Sequence, residues 1–581
     1  MGIFLKLSWF FRQQWPRYGI AIIALMGIGL IALIPPWIVG RIVDALSDGS
    51  LTKDFLLIHV GEICVIAMVI YILRVVWRIA LLGASHILAH QLRERIFTRL
   101  TYQSPAFFRE RKAGDLMARV TNDIKAVEMA ASKGVLALFD VVFTGLTTLV
   151  VMMVFISWPL TLVAFAPWPV VGYFLWRFGV ELHGAFAHAQ ARFGDLNETV
   201  RESISSLRLT KALGREAFET ERFHGMAAET TETNLRVARV DSKYEPAIGL
   251  GVGISFFLSV AGAAWLIRQG EMTLGQLTSF TLYLGYMIWP MFAIGWLLDL
   301  VARGQVAYRR IEELLAMEPL IRDNGPFTGK ATPTIDFDIN AFRYPGNQVA
   351  ALQDIHFRLE AGRTLGIVGP TGAGKSTLIH LLVRLEEQSS ARIRIGNRPI
   401  AEFTLENLRA HIATVPQTSL LFSGSIAENI ALAKPHATRQ EIEIAAKVAQ
   451  VHEDIIDLTD GYKTQVGEQG VSLSGGQKQR ITIARALLRE APILVLDDAL
   501  SAVDARTEQS ILDHLREVRR NHTTLIVSHH LSVVQDADHI IVLDRGVPVE
   551  QGTHESLLEN NGWYRKTFDY QRLEQAVEEG R

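Results

Sequence analysis

Gly369-Pro370-Thr371-Gly372-Ala373-Gly374-Lys375-Ser376-Thr377 sets the fold of the C-terminal part of the chain. Its glycines let successive backbone N–H groups turn inward onto phosphate oxygens, and a helix starting after them aims its positive end at the same anion. The pattern predicts an α/β P-loop domain that binds ATP or GTP. Gly369, Thr371, Gly372, Gly374 and Thr377 would form the cradle. Lys375 would reach the β- and γ-phosphates, and the Ser376 hydroxyl would ligate Mg²⁺.

The loop keeps informative company. Further along come Leu473-Ser474-Gly475-Gly476-Gln477 and an apolar run, Ile493-Leu494-Val495-Leu496, that ends in Asp497-Asp498. Asp497, closing that run, is the carboxylate expected to hold Mg²⁺ through water. Gln417, following Ala413-Thr414-Val415-Pro416, would ligate Mg²⁺ or orient water. His529, after Thr524-Leu525-Ile526-Val527-Ser528, is placed to sense the γ-phosphate, and His530 reads as a surface residue. Tyr344 precedes the loop and offers a ring on which adenine would stack, which favours ATP.

The chain has 581 residues, too many for one core, and its hydropathy divides it near residue 330. Apolar stretches long enough to cross a ~30 Å hydrocarbon layer recur before that point and not after it. Spans are expected at 18–40, 57–80, 136–156, 159–179, 247–267 and 275–298. The predicted organisation is therefore a membrane all-α domain over 1–317, a linker over 318–334 rich in Pro, Gly and charge, and the ATPase domain over 335–581.

Positive charge stays on the cytoplasmic side of a bilayer. Lys6, Arg12 and Arg17 precede the first span, and the segment between the second and third carries Arg93, Arg95, Arg99, Arg109, Arg111, Lys112, Arg119, Lys125 and Lys133. The alternate connections are short or acidic. Both termini and both long loops are thus expected in the cytoplasm of a multi-pass membrane protein, and the first apolar run is a full span with no cleavage site after it. Net charge is −2 and Cys64 is the one cysteine, so no nucleic-acid partner is indicated and no intrachain disulfide is possible. An inert packing role is expected for Cys64.

The two cytoplasmic excursions read as helices that continue out of the membrane. One is expected to turn at 107–116, around Gly114, and the other at Gly214-Arg215-Glu216, with Phe218 and Phe223 as exposed docking anchors. Arg74 and Arg78, in or near the second span, would face a cavity, a partner or the headgroups.

Taken in order, Tyr344, the phosphate loop, Gln417, the 473–477 pentapeptide, Asp497, Ser501-Ala502-Val503-Asp504 and His529 resemble the nucleotide-binding domain of an ABC transporter. With six spans ahead of it, the whole chain resembles an exporter half-transporter of the type IV fold, in the multidrug and lipid-flippase class. It is most similar to the bacterial multidrug-resistance-like Mdl/Smd heterodimeric exporters. The resemblance implies two such domains packed head to tail, with ATP and Mg²⁺ between the phosphate loop of one chain and the signature pentapeptide of the other. Ser474, Gly475, Gly476, Gln477 and Asp504 would then touch the nucleotide across the interface.

One residue departs from the family pattern. The position after the Mg²⁺-binding aspartate usually carries a glutamate that polarises the attacking water, and here it is Asp498. The carboxylate falls short by about 1.5 Å, and an ångström of misplacement costs on the order of 10²-fold in rate. Slow hydrolysis at this chain's own loop is expected, with Asp498, His529 and Gln417 as the catalytic group. The intact signature would serve a second, homologous half-transporter that carries the glutamate. A homodimer in which Asp498 simply serves is the alternative.

The resemblance implies hydrophobic or amphipathic cargo, and the last span offers Met287, Trp289, Met291, Phe292 and Trp296, soft and aromatic surfaces that suit it; amphipathic drugs, lipids and short peptides all stay open. The same residues suit lipid contact or helix packing. A lipid flippase and an ATP-gated channel share these features and stay open at this point.

Overall fold

The computed structural model describes residues 2–386, 391–467 and 473–579. They form two compact units. One runs to Thr98 and resumes over Gly114–Ala316, and the other joins Arg99–Ala113 to the chain from Met317 on.

Six helices in the first unit are long and apolar enough to span a membrane: α1 Trp15–Ser47, α2 Lys53–Thr101, α3 Ala113–Ile156, α4 Trp158–Ser205, α5 Glu216–Arg268 and α6 Leu274–Ala316. Each expected span lies inside one of them. At 1.5 Å per residue the 49 residues of α2 extend about 70 Å, more than twice the hydrocarbon thickness. Only 6 % of its most apolar window is buried, so this surface has lipid or another chain as its natural solvent. Helix α4 starts where Ser157 Oγ accepts a hydrogen bond from the Leu160 N–H at 3.4 Å. Pro159 sits in its first turn, where a missing N–H costs nothing.

The first connection differs from expectation. The turn expected at 107–116 is instead a short helix, Pro105–Glu110, with breaks before and after it, and Gly114 is the second residue of α3. Pro105 can start the short helix because its ring sets a helical φ, while Asp115 favours the first turn of α3 through the helix dipole. Together these outweigh the breaking tendency of one glycine. The second turn falls at Gly214, which adopts φ +61°, and Phe218 and Phe223 are exposed. Cys64 is not packed into the interior of this chain; it is exposed on α2, as are Arg74 and Arg78.

The second unit contains two main sheets. In the larger, β1 Thr364–Val368, β2 Ile412–Val415, β3 Ile493–Asp497, β4 Thr523–Val527, β5 His539–Asp544 and β6 Val547–Gly552 are ordered β6-β5-β1-β4-β3-β2. The first five are mutually parallel, and β6 pairs antiparallel with β5. Every residue of β3 and β4 is buried, as expected of strands covered on both faces. The second sheet is antiparallel, built on Ile335–Phe342 between Leu352–Leu359 and Ala391–Ile395. Residues read as a linker are tied into this unit: the Phe327 N–H donates to Glu402 O at 2.9 Å, and the Leu405 N–H donates to Asp323 Oδ1 at 2.8 Å.

Candidate functional site: a nucleotide pocket at the end of the parallel sheet

The phosphate loop leaves β1 at Val368 and enters helix α7, Lys375–Leu382. Its glycines are obligatory by geometry. Gly369 has φ +145° and Gly374 φ +96°; a Cβ on the first would lie 2.0 Å from Leu543 O, and on the second 2.6 Å from Ala351 O. The buried core beneath β1, β3 and β4 fixes the strand ends that carry the other polar groups.

Lys375 folds back along the loop, its Nζ donating to Gly369 O at 2.7 Å and Pro370 O at 2.9 Å. Burial lowers its pKa, and the nearby Asp498 and Asp497 carboxylates oppose that shift. Ser376 Oγ donates to Asp497 Oδ1 at 3.0 Å, so the hydroxyl and carboxylate expected at Mg²⁺ already converge. Burial raises the Asp497 pKa and the Ser376 bond lowers it. These two oxygens fit a hard divalent ion, which Mg²⁺ sites typically hold through one or two protein oxygens with the remaining positions given to phosphate and water.

Asp498 follows at the end of β3 in a left-handed conformation, φ +49°, with its N–H donating to Val527 O at 2.8 Å. Its Oδ1 lies 2.7 Å from His529 Nδ1, and its Oδ2 lies 3.5 Å from Gln417 Nε2. Three residues taken from separate segments thus meet at one carboxylate. They line a cavity of about 570 Å³ together with residues 371–377, Tyr344 and Asp497. His530 is half-buried rather than on the surface, and burial lowers its pKa.

Tyr344 is half-buried and more constrained than a free stacking platform. Its hydroxyl donates to Thr377 Oγ1 at 3.1 Å, its ring meets Phe342 edge-on, and the Arg109 guanidinium lies 5.2 Å from its centroid. Arg109 also pairs at 2.7 Å with Glu386, whose side chain is 4 % exposed. Neither the Arg109–Glu386 pair nor Arg545, which lines the cavity from a turn with φ +48°, was anticipated. Arg545-Gly546 after an apolar strand is the only signal that marks that turn.

The signature residues are not brought into this cavity. Ser474 caps helix α8, Gly475–Leu488: its Oγ accepts the Gln477 N–H at 3.2 Å, and Gln477 Oε1 accepts the Ser474 N–H at 3.0 Å. Ser474 and Gly475 are exposed at the start of that helix. Asp504 likewise lies outside the cavity and caps Ala505–Val518, its Oδ1 accepting the Thr507 N–H at 3.0 Å. Those bonds lower its pKa.

Residues 18–291 match the ABC transporter transmembrane region family, and residues 352–501 match the ABC transporter family. The chain is 45 % identical over 579 residues to the multidrug resistance-like ATP-binding protein MdlA of Escherichia coli, covering 100 % of this chain and 98 % of that one. It is 34 % identical to the ATP-dependent lipid A-core flippase of Pseudomonas aeruginosa, over 84 % and 81 % of the two chains. A solved bacterial Atm1-family ABC exporter with ATP bound superposes with a TM-score of 0.79 at 28 % identity, covering 96 % of this chain and 99 % of the other. With six membrane-crossing helices and an ABC ATPase fold in one polypeptide, the chain belongs to the ABC exporters, multi-pass membrane proteins that drive export with ATP.

Proposed function

We propose that the chain is one subunit of a heterodimeric exporter of hydrophobic or amphipathic compounds, with one slow and one competent ATP site. The carrying observation is Asp498, a short carboxylate engaged by His529 and Gln417, in a chain whose Ser474-Gly475-Gly476 is intact and exposes Ser474 and Gly475. In this reading Tyr344 stacks adenine, and Gly369, Thr371, Gly372, Gly374 and Thr377 bind the phosphates through backbone and hydroxyl donors. Lys375 leaves its loop carbonyls to neutralise the β- and γ-phosphates. Ser376, Asp497 and Gln417 hold Mg²⁺, which neutralises charge developing on the phosphoryl oxygens when bound. Asp498 orients the attacking water from too far away, and His529 holds Asp498 and contacts the γ-phosphate.

Ser474, Gly475, Gly476, Gln477 and Asp504 serve the nucleotide on the partner's loop, and the partner carries the water-activating glutamate. ATP held between two ATPase domains draws them together, and the Pro105–Glu110 and Gly214 connections pass that motion to the membrane helices. The proposed orientation places both termini in the cytoplasm of a bacterial inner membrane.

A homodimeric lipid flippase is the second reading, favoured by the 34 % identity to the lipid A-core flippase. Tagged chain purified from its native membrane distinguishes them. The heterodimer predicts a second ABC half-transporter in equal amount, and reconstituted vesicles that accumulate a neutral amphipathic dye with ATP. Recovery of this chain alone, with lipid and not dye moved by ATP, would contradict it.

A further inference from the structure

Asp140 places a carboxylate on α3, inside the expected span 136–156. It lies 17 residues before the Ser157 break, about 25 Å along the helix axis, which is the cytoplasmic half of the bilayer under the proposed orientation. Trp289 on α6 meets it there, its Nε1 donating to Asp140 Oδ2 at 2.9 Å. Among the described residues no Lys, Arg or His faces this carboxylate, and Oδ1 accepts no hydrogen bond. Asp299, about three turns beyond Trp289 on α6, is different: it pairs with Arg303 at 2.7 Å.

A carboxylate in a low-dielectric layer loses more on leaving water than one neutral donor returns, so such groups face a protein cavity and take a cation. Two further observations mark this level. The Trp289 and Trp296 rings lie 6.5 Å apart, and Trp289 is 56 % exposed, so an aromatic surface stands open beside the carboxylate. Pro290, the neighbour of Trp289, also interrupts the hydrogen-bond ladder of α6 at this depth. Broken backbone at membrane depth is tolerated where it lines protein or a cavity and not where it faces lipid.

We propose that Asp140, Trp289 and Trp296 form a binding site for a monovalent organic cation with a greasy body. Asp140 supplies the counter-charge through its open oxygen, and the indole faces supply cation–π and apolar contact. Trp289 orients the carboxylate and touches the ligand. The inference rests on the exporter reading and names a chemical class for its cargo. A site that held hydrophobic compounds by area alone would have no use for an unpaired carboxylate.

The test uses the complex as purified, in lipid nanodiscs without nucleotide, with tetraphenylphosphonium as the cation and tetraphenylborate as an anion of the same shape. Tryptophan quenching should report saturable binding of the cation and none of the anion. Asp140→Asn should weaken cation binding by about tenfold or more, Asp140→Glu should keep it within about threefold, and Trp289→Phe should lie between. Equal binding of both ions by the unmodified complex overturns the proposal, whether or not any variant folds. So does cation binding by Asp140→Asn that matches the unmodified protein, or a loss in Trp289→Phe as complete as in Asp140→Asn, which would mean the pair only ties two helices. ATP-driven uptake of a neutral dye, measured in parallel vesicles, tests the exporter reading separately. Dye uptake without charge-selective binding sinks this inference alone, and binding without dye uptake sinks only the other.

Discussion

Lengthening Asp498 by one methylene should speed hydrolysis at this chain's own phosphate loop. The perturbation is Asp498→Glu in two copies of the chain joined in tandem, so that every signature in the sample is the intact Ser474-Gly475-Gly476. Asp498 Oδ1 is held 2.7 Å from His529 Nδ1, at the side of the cavity. An added carbon extends the reach by about 1.5 Å, and correcting an ångström of misplacement is worth up to about 10²-fold, equivalent to about 2.7 kcal/mol of barrier. The backbone opposes the change only in stability. At φ +49° an aspartate is tolerated better than a glutamate, at a cost of about 1 kcal/mol that falls equally on ground and transition states. Phosphate release at saturating Mg-ATP should therefore rise by about tenfold to a hundredfold, with a slightly lower melting temperature. Unchanged or slower release, with normal labelling by an ATP analogue, would refute the argument that carboxylate reach limits this site.

Lys375→Ala should cut photolabelling of this chain by an ATP analogue about tenfold or more, since the ammonium that neutralises two phosphates is gone; undiminished labelling would remove Lys375 from that role. In the native complex, Ser474→Ala or a Gly475 substitution should reduce ATPase activity more than Asp498→Asn does, because the first pair serves the partner's faster site; equal losses would favour a homodimer. Arg109→Ala removes the cation beside Glu386, which is 4 % exposed, and should increase amide exchange in Pro105–Glu110 and lower transport while nucleotide labelling persists, as read by exchange mass spectrometry and vesicle uptake.

The parts of this molecule written in short-range chemistry were legible before the fold was known. The phosphate loop is one, because Gly369 and Gly374 approach neighbouring backbone so closely that no other residue fits. The six spans are another, since apolar length against a fixed bilayer thickness leaves few alternatives. Gln417, Asp498 and His529 each follow an apolar run that marks a strand end, but their convergence depends on strand order, which residue spacing alone does not encode.

Other features were decided by balances that sequence does not resolve. One glycine at 114 was outweighed by a proline and a dipole-favourable acid, which moved the turn. The constraint on Tyr344 comes from Thr377 and from Arg109, residues far from it in sequence. Arg545 enters the pocket from a turn beyond β5, with no motif of its own. The apolar surroundings of Cys64 suggest packing, but α2 has more apolar circumference than its own chain covers, and Cys64 is exposed.

Nucleotide identity at each site during turnover tests the asymmetry of the two ATP sites most directly. The native complex is supplied with labelled Mg-ATP, photo-crosslinked in the steady state and separated into its chains. One slow and one competent site give ATP on this chain's phosphate loop and ADP on its partner's, and equal ADP on both chains would contradict that asymmetry.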